Sequence, residues 1–443
     1  MSAVLDTFDR TLGSRIPTPR PGAPATAPRL RTITVGLLGL GRVGQAVARL
    51  APAGQRLREH GYRVHIACAL VRDIHRPRRC VRPPRLTTNP SAFLRGHYDV
   101  VIEALGGIEP ARSIVARLLG RGTAVVTANK ALVAAHGAEL SALAARRGTT
   151  LRYEASALAG VPFLGALAHR PFVSAVTAFT AILNGTSNFV LTAIERDGCS
   201  IETALASAEA AGLAEPDPSR DVDGIDAADK LTLIAWLLGW GRVPVGRLEI
   251  RSIRGVTSDD FAAARALDAT IRPVAVASLS DAGLHAFVGP ALLPARHPLA
   301  SVDGTLNGIQ LSGRIVPDLF FSGPGAGPDI TAATILDDVV EAVSFSPQRR
   351  EAPARSARAA RVAAPPSTEW FLRLRFPGLV PDTEAVRSLV ACAGLEAQQV
   401  VDGCTAGARW VRTSVAHRSI VDAAIERFRD VHRIEAAAIR ALS

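Results

Sequence analysis

The stretch Thr32-Ile-Thr-Val-Gly-Leu-Leu38, followed at once by Gly39-Leu40-Gly41-Arg42-Val43-Gly44 and then by the apolar, Ala-rich run Gln45–Leu50, decides the fold. The first seven residues read as a short buried strand, the glycine-spaced hexapeptide as a tight turn, and the last run as the start of a helix. In that setting Gly39 permits the turn, Gly41 lets a pyrophosphate approach the backbone, and Gly44 allows close helix–strand packing. A glycine pattern by itself serves geometry as often as binding. The strand before it and the helix after it are what make a dinucleotide site of it. Leu40, Arg42 and Val43 complete the cofactor-facing turn.

Outward from this turn, Val64–Val71, Tyr98–Ala104 and Thr123–Thr127 read as further buried strands with helical periodicity between them. Such alternation predicts a parallel, doubly wound Rossmann-type sheet over residues 31–150. From 151 to 324 the texture changes to an α+β unit. Strands are predicted at Val173–Leu183, Leu248–Val256, Val274–Ser278 and Asn307–Leu311, and helices at Asn188–Arg196, Ile201–Ala211 and Ala227–Leu238. The turn Gly323-Pro-Gly-Ala-Gly327 leads to a helix, Thr331–Val343, expected to return to the first domain, which residues 325–345 would complete. Residues 1–30, ending in a Pro/Ala/Arg stretch, read as a disordered leader, and 346–366 as a linker with little to bury. Residues 367–443 read strand–helix–strand–strand–helix–strand, the order of a ferredoxin-like unit. Its last element, Val431–Ile439, is ambiguous between strand and helix.

Of 51 Lys+Arg residues only Lys130 and Lys230 are lysine. Arg keeps its proton, whereas Lys can be brought towards neutrality and give a proton up. Compositional drift is the bland explanation, but both lysines lie in dense motifs. Thr127-Ala-Asn-Lys130 follows a strand, so Lys130 emerges at the sheet's carboxyl edge, where ligands bind in open α/β sheets. Glu103 and Gly106-Gly107 come from the neighbouring strand end. Lys230 closes Gly212-Leu-Ala-Glu215-Pro-Asp217-Pro-Ser-Arg-Asp221-Val-Asp223-Gly-Ile-Asp226-Ala-Ala-Asp229-Lys230, a rigid acidic loop running into an apolar helix. Asp226 and Lys230 are i and i+4 and share one helix face. A lysine entering a buried wall needs a partner or a depressed pKa. Asn184, Gly185 and Thr186 at a helix start, with Asp221 of the acidic loop, offer polar groups to a substrate. The segment Tyr153–Pro162 would present carbonyls or amides at a tight turn.

Cofactor choice turns on the end of the second strand. Arg72, Asp73, Arg76, Arg78 and Arg79 form a cationic cluster there, which suits a 2′-phosphate and hence NADP. An ordinary solvated basic loop in an Arg-rich chain is the alternative, and NAD then remains open.

The totals bound the rest. With 48% apolar and 21% charged residues the chain reads as globular. No apolar run reaches the ~20 residues needed to span a bilayer, and the first residues lack a signal-peptide pattern, so the expected compartment is the cytoplasm. Five scattered cysteines without a CxxC pair suggest neither zinc nor a disulfide framework. The net charge of +11 is dispersed among acidic residues without a nucleic-acid-binding motif, so neither nucleic acid nor membrane is an expected partner.

Taken in order, GLGRVG, EALGGIEPAR (103–112), TANK, YEASALAGVP, ILNGTSNF (182–189), the acidic loop to Lys230, HPLA (297–300) and GPGAG with TAATILDD resemble homoserine dehydrogenase over about 31–345. The resemblance implies NAD(P)H-dependent reduction of L-aspartate 4-semialdehyde to L-homoserine, the branch step towards threonine, methionine and isoleucine. It implies that Lys230 is the catalytic proton donor, Lys130 the second active-site lysine beside nicotinamide and substrate, and Asp226 the residue that orders the catalytic lysine and the substrate oxygen. Glu215 would bind the substrate ammonium, and Gly325 and Gly327 would close over the cofactor. Glu154, Ala157, Ala159 and Val161 are similar to the family's sodium site, built mostly of backbone carbonyls; Ala159 stands where many members have Gly. The last 77 residues resemble an ACT domain, with Phe376-Pro-Gly-Leu379 lacking the usual acidic turn residue, which implies an amino-acid effector such as threonine. The family also implies a dimer through the second domain, or a tetramer. Two competing readings are a related NADP-dependent dehydrogenase for a similar semialdehyde in a specialised pathway, and a non-catalytic NADP-binding regulator.

Overall fold

The computed structural model describes residues 30–78, 84–168, 170, 175–344, 360–364, 366–403 and 407–442. The leader, Arg79 and most of the linker lie outside the described residues.

Six parallel strands form the first sheet: β1 (Arg31–Leu38), β2 (Tyr62–Leu70), β3 (Arg85–Thr87), β4 (Val100–Glu103), β5 (Ala124–Thr127) and β6 (Leu151–Arg152). Their order is β3-β2-β1-β4-β5-β6, so the chain reverses direction across the sheet between β1 and β4. The doubly wound sheet expected from the alternation is therefore present. Val100, Val101 and Ile102 on β4 and Val125 and Val126 on β5 are buried on both faces, which is why these strands read as unbroken apolar runs. One face packs on helices Pro90–Leu94, Ala111–Gly120 and Lys130–Arg146. The other packs on Arg42–Ala53 and on Pro328–Ser344, whose Ala332, Ile335 and Val339 are buried against it. The chain thus returns to the first sheet after the second domain.

The second sheet holds β7 (Val176–Ile182), β8 (Glu249–Ile250), β9 (Ala269–Ser280), β10 (Gly283–Pro294), β11 (Leu306–Gly313), β12 (Leu319–Pro324), β13 (Glu369–Arg375), β14 (Ala397–Asp402), β15 (Ala408–Thr413) and β16 (Glu435–Ala441). Its main path runs β12-β11-β7-β9-β10-β16-β13-β15-β14, with β8 beside β10. Two local expectations need correction. Leu248–Val256 yields only the two-residue β8, because the chain turns at Ile253–Gly255 to enter helix Ser258–Ala266. The strand read at Val274–Ser278 is the middle of the twelve-residue β9, paired along its whole length with β10 through the turn at Asp281–Ala282. The ambiguous final segment divides: helix Arg418–His432 ends at Arg433, which has a positive φ of 53°, and β16 follows.

Residues 367–442 carry the ferredoxin-like order, their strands lying β16-β13-β15-β14 with antiparallel neighbours. This unit is not tethered loosely. β16 joins β10 in parallel through Ala291–Arg440 and Leu292–Ala441, so one sheet crosses both units. Buried ion pairs reinforce the seam. Arg373 donates to Asp260 at 2.6 Å and Trp410 Nε1 donates to its other oxygen at 2.8 Å; Arg440 pairs with Glu249 at 2.7 Å. The Arg440 guanidinium also lies over the Phe287 and Trp370 rings. The end of the linker differs from expectation as well. Leu284 N donates to Arg361 O and Ala363 N to Leu284 O, while Val362 packs on the second domain's core, so residues 360–364 lie along β10.

Candidate active site

Two helices, one from each of the first two domains, bring the lysines together. Asn129 follows β5, and its side-chain oxygen accepts from Leu132 N at 3.1 Å, capping helix Lys130–Arg146. Lys130 is therefore held at the first helical position. Helix Ile225–Leu237 starts at Gly224, in the left-handed region with φ 78°. Its buried face, including Leu231, Ile234 and Ala235, packs into the second domain's core. The two helices touch where Gly137 meets Trp236; a Cβ at Gly137 would lie 2.6 Å from the indole ring. A methyl group there would force the Trp236 ring to shift.

With the helices so placed, Lys130 Nζ donates to Asp226 Oδ1 at 2.5 Å. Lys230 Nζ lies 3.1 Å from Asp226 Oδ2 and donates to the Leu183 carbonyl at 2.8 Å. Asn184 reaches the same group: its Nδ2 donates to Asp226 Oδ2 at 3.0 Å and to Asp221 Oδ1 at 2.7 Å, while its Oδ1 accepts from Ser187 N. The amide's orientation is thereby fixed by helix capping on one side and by two carboxylates on the other. Burial disfavours the Asp226 charge, but the Lys230 and Lys130 ammoniums outweigh it and hold the carboxyl well below its usual range. Asp221 shifts the opposite way. Burial raises it, the Asn184 hydrogen bond opposes, and the nearby Asp226 charge adds to the rise. The buried wall thus supplies Lys230 with a carboxylate and a carbonyl as partners.

Around this centre, Thr186 donates to Leu213 O at 2.8 Å, tying the Asn184 turn to the acidic loop. At Gly185 a Cβ would stand 2.8 Å from Thr305 O. Glu215 is exposed on the loop, and its charge contributes to raising Asp221.

The cofactor-facing glycines divide by geometry. A Cβ at Gly39 would approach Ala104 O to 2.5 Å and one at Gly44 would approach Gly39 O to 2.2 Å, whereas Gly41 faces open space. Gly41 precedes helix Arg42–Ala53, so its surroundings leave room for a phosphate at a helix N-terminus. Leu40 is buried, Arg42 exposed and Val43 half-buried. Gly106 and Gly107, with φ of 75° and 73°, turn the chain after β4. The Gly323–Gly327 turn packs against Gly160 and Asn307. Gly325 lies against the Asn307 amide, and Gly160 so close to Pro324 O that a Cβ would fall 2.1 Å away. Gly327 has φ 136°.

At the end of β2, Arg72 and Arg76 are exposed. Arg78 instead folds back, donating to Asp73 O at 2.6 Å and to Arg76 O at 2.9 Å, while Asp73 accepts from His75 N. The cluster is a built loop with two arginines facing outward.

In the Glu154–Val161 turn, the Glu154 carboxylate accepts from Leu164 N and Gly165 N at 3.1 and 2.8 Å. The Ala159 carbonyl accepts from the Thr334 hydroxyl and the Val161 carbonyl from Phe163 N. A carbonyl keeps a second lone pair in such a bond, and uncharged oxygens suit a hard monovalent cation.

Two participants escaped the sequence reading: the Leu183 carbonyl and the Asn129 cap. The first is a backbone atom, which no residue type signals. An Asn immediately before a helical segment is a cap signal and would have found the second.

This geometry has relatives. A model of the homoserine dehydrogenase NAD binding domain matches residues 39–154, and a homoserine dehydrogenase model matches 162–340. The homoserine dehydrogenase of Corynebacterium glutamicum is 36% identical over 332 residues, 73% of this chain and 75% of that protein. The chain belongs to the homoserine dehydrogenase family. The homoserine dehydrogenase of Mycobacterium leprae aligns over 417 residues at 32% identity, covering 89% of this chain and 93% of its own, so likeness extends into the C-terminal unit. The crystal structure of a homoserine dehydrogenase from Thiobacillus denitrificans matches 94% of this chain and 99% of its own, with a TM-score of 0.81 and 30% identity. As a homoserine dehydrogenase the protein is an NAD(P)-dependent oxidoreductase whose first sheet is the nicotinamide-dinucleotide domain. Among the described residues no helix is long and apolar enough to cross a membrane.

Proposed function

We propose that this homoserine dehydrogenase reduces L-aspartate 4-semialdehyde to L-homoserine with Lys230 as general acid. The pairing of Lys130 and Lys230 on the two oxygens of Asp226 carries this reading. Reduced nicotinamide, when bound, supplies the hydride. The carbonyl carbon gains that hydride, its oxygen gains electron density, and Lys230 gives it a proton to complete the alcohol. Asp226 stays ionised and orients both ammoniums. Lys130, at the first turn of its helix, lies on the cofactor side and stabilises the developing oxyanion. Glu215 and Asp221 receive the substrate ammonium, with Asn184, Gly185 and Thr186 shaping the floor beneath it.

Gly39, Leu40, Gly41, Arg42, Val43 and Gly44 hold the pyrophosphate, with Gly106, Gly325 and Gly327 enclosing the rest of the cofactor. The outward Arg72 and Arg76 favour the 2′-phosphate of NADP over NAD. The carbonyls of Glu154, Ala157, Ala159 and Val161 form a sodium site. The C-terminal unit acts as an ACT-like sensor of an amino acid such as threonine, the chain works as a homodimer or homotetramer, and its compartment is the cytoplasm.

The testing experiment is oxidation of NADPH by the purified protein with aspartate semialdehyde, beside Lys230→Arg and Lys130→Arg. Turnover by the parent and its loss in both variants is expected; a parent that binds NADPH but turns nothing over would support the non-catalytic alternative instead.

A further inference from the structure

Glu103 ends β4 and is fully buried. Its Oε1 accepts from Leu105 N at 2.8 Å and from Asn129 Nδ2 at 3.3 Å, and its Oε2 accepts from the Thr127 hydroxyl at 2.5 Å. Burial raises the Glu103 carboxyl above its ordinary range, and the bonds from Thr127, Leu105, Asn129 and the Gly106 amide oppose that rise. Thr127 Oγ1 in turn accepts from Asn129 N at 3.0 Å, and Asn129 Nδ2 reaches Gly107 O at 2.6 Å. Every group facing Glu103 here is a donor. Gln at this place would turn an NH2 either towards the Leu105 and Asn129 N–H groups or towards the Thr127 hydroxyl, which would then lose the acceptor for its own proton.

The network joins two parts of the site that come from different strands. On one side is the Leu105–Gly107 turn after β4. On the other is Asn129, whose Oδ1 caps the helix that starts with Lys130. A buried carboxylate surrounded by donors is costly to disturb, because each donor left unpaired carries its own desolvation penalty.

We propose that Glu103 is a positioning residue for the reductase reaction: it clamps the Gly106–Gly107 turn to the Asn129 cap and so sets where Lys130 stands relative to the cofactor. Glu103 touches neither substrate nor the reacting atoms; it acts through Lys130 and the turn. The inference rests on the active-site role given above to Lys130.

The test is a double-mutant cycle on the full-length protein with Glu103→Gln, Lys130→Ala and both together, reading kcat for NADPH oxidation with aspartate semialdehyde and the dissociation constant of NADPH by fluorescence. Glu103→Gln is expected to lower kcat about tenfold or more in the parent but less than about threefold in the Lys130→Ala background, and to weaken NADPH binding several-fold. A merely structural role would cost the same factor in both backgrounds, and that result, or an unaltered kcat in the parent, overturns the proposal. Failure of the underlying reading looks different: Lys130→Ala alone would then turn over like the parent, removing the route through which Glu103 acts. Should Glu103→Gln not fold by circular dichroism, Thr127→Val replaces it. That variant removes one donor to the carboxylate together with the acceptor of Asn129 N, both within the same clamp, and should give the same non-additive pattern; additive losses there overturn the proposal equally.

Discussion

Lys130 and Lys230 are bridged by one carboxylate although they belong to different domains: Asp226 accepts Lys130 on Oδ1 at 2.5 Å and meets Lys230 on Oδ2 at 3.1 Å. Each lysine thereby fixes the other. Neither Arg substitution preserves this arrangement, since a guanidinium is larger, planar and effectively never deprotonated.

Lys230→Arg should fold like the parent and lose about 100-fold or more in kcat, the usual contribution of a positioned acid. Steady-state NADPH oxidation with aspartate semialdehyde measures it. Retention of parental turnover would remove Lys230 from the proton-donor role.

Asp226 makes a pH prediction whose sign is fixed. Its folded pKa is depressed below the ordinary 3.8, so its contribution to stability is present above about pH 3.8 and disappears as pH falls through the folded value. Asp226→Asn lacks that contribution and leaves two ammoniums without their shared partner. The gap in unfolding free energy between parent and variant should stay constant from neutral pH to about pH 4 and narrow below it. Urea titrations across that range check this; a gap that already closes near pH 6 would contradict it.

Arg72→Asp should raise KM for NADPH by roughly tenfold or more, as expected for loss of a charge-assisted phosphate contact, and leave NADH nearly unaffected. Equal losses for both cofactors would mark the loop as merely solvated.

Gly137→Ala should cost about 1–3 kcal/mol of stability, because its methyl group would meet the Trp236 ring at 2.6 Å. It should also lower kcat, since the crossing that it widens sets the distance from Lys130 to Asp226. Thermal melts and turnover numbers measured together decide the matter; a fall in melting temperature with unchanged kcat would separate the crossing from the chemistry.

Asp260→Ala should destabilise the protein by about 3–5 kcal/mol, because it leaves the buried Arg373 guanidinium without its carboxylate and deprives Trp410 Nε1 of an acceptor. Removal of residues 367–443 should do more, yielding insoluble protein: it strips the β10 edge and uncovers Phe287. A soluble, active truncated chain would show that the seam is dispensable.

Much of this was legible beforehand, for physical reasons. β1, β4 and β5 read cleanly because strands buried on both faces are apolar throughout, and the glycine turn because close approach admits few alternatives. Asp226 and Lys230 could be paired from their i,i+4 spacing. The Lys130–Asp226 contact could not, because it depends on a crossing fixed by Gly137 and Trp236, and Gly137 looks like any other small residue in an Ala-rich helix. Glu103 was visible as a strand-end acid, but nothing in the order of residues announces that its neighbours all donate to it. β10 carries no clean strand signal because Gly283, Gly289, Pro290 and Pro294 interrupt its apolar run, and the seam to β16 carries none because strand pairing between distant units leaves no local trace.

That shared sheet has a mechanical consequence. Two domains joined by a flexible tether can rotate about it as rigid bodies, but strands bonded across Ala291–Arg440 and Leu292–Ala441 offer no pivot. An effector seated in the C-terminal unit would have to speak to the lysines by bending or twisting a common sheet. The response should then be graded and stiff, with small displacements spread over many strands rather than one large swing. It should weaken wherever a substitution softens β9 or β10, even far from both ligands.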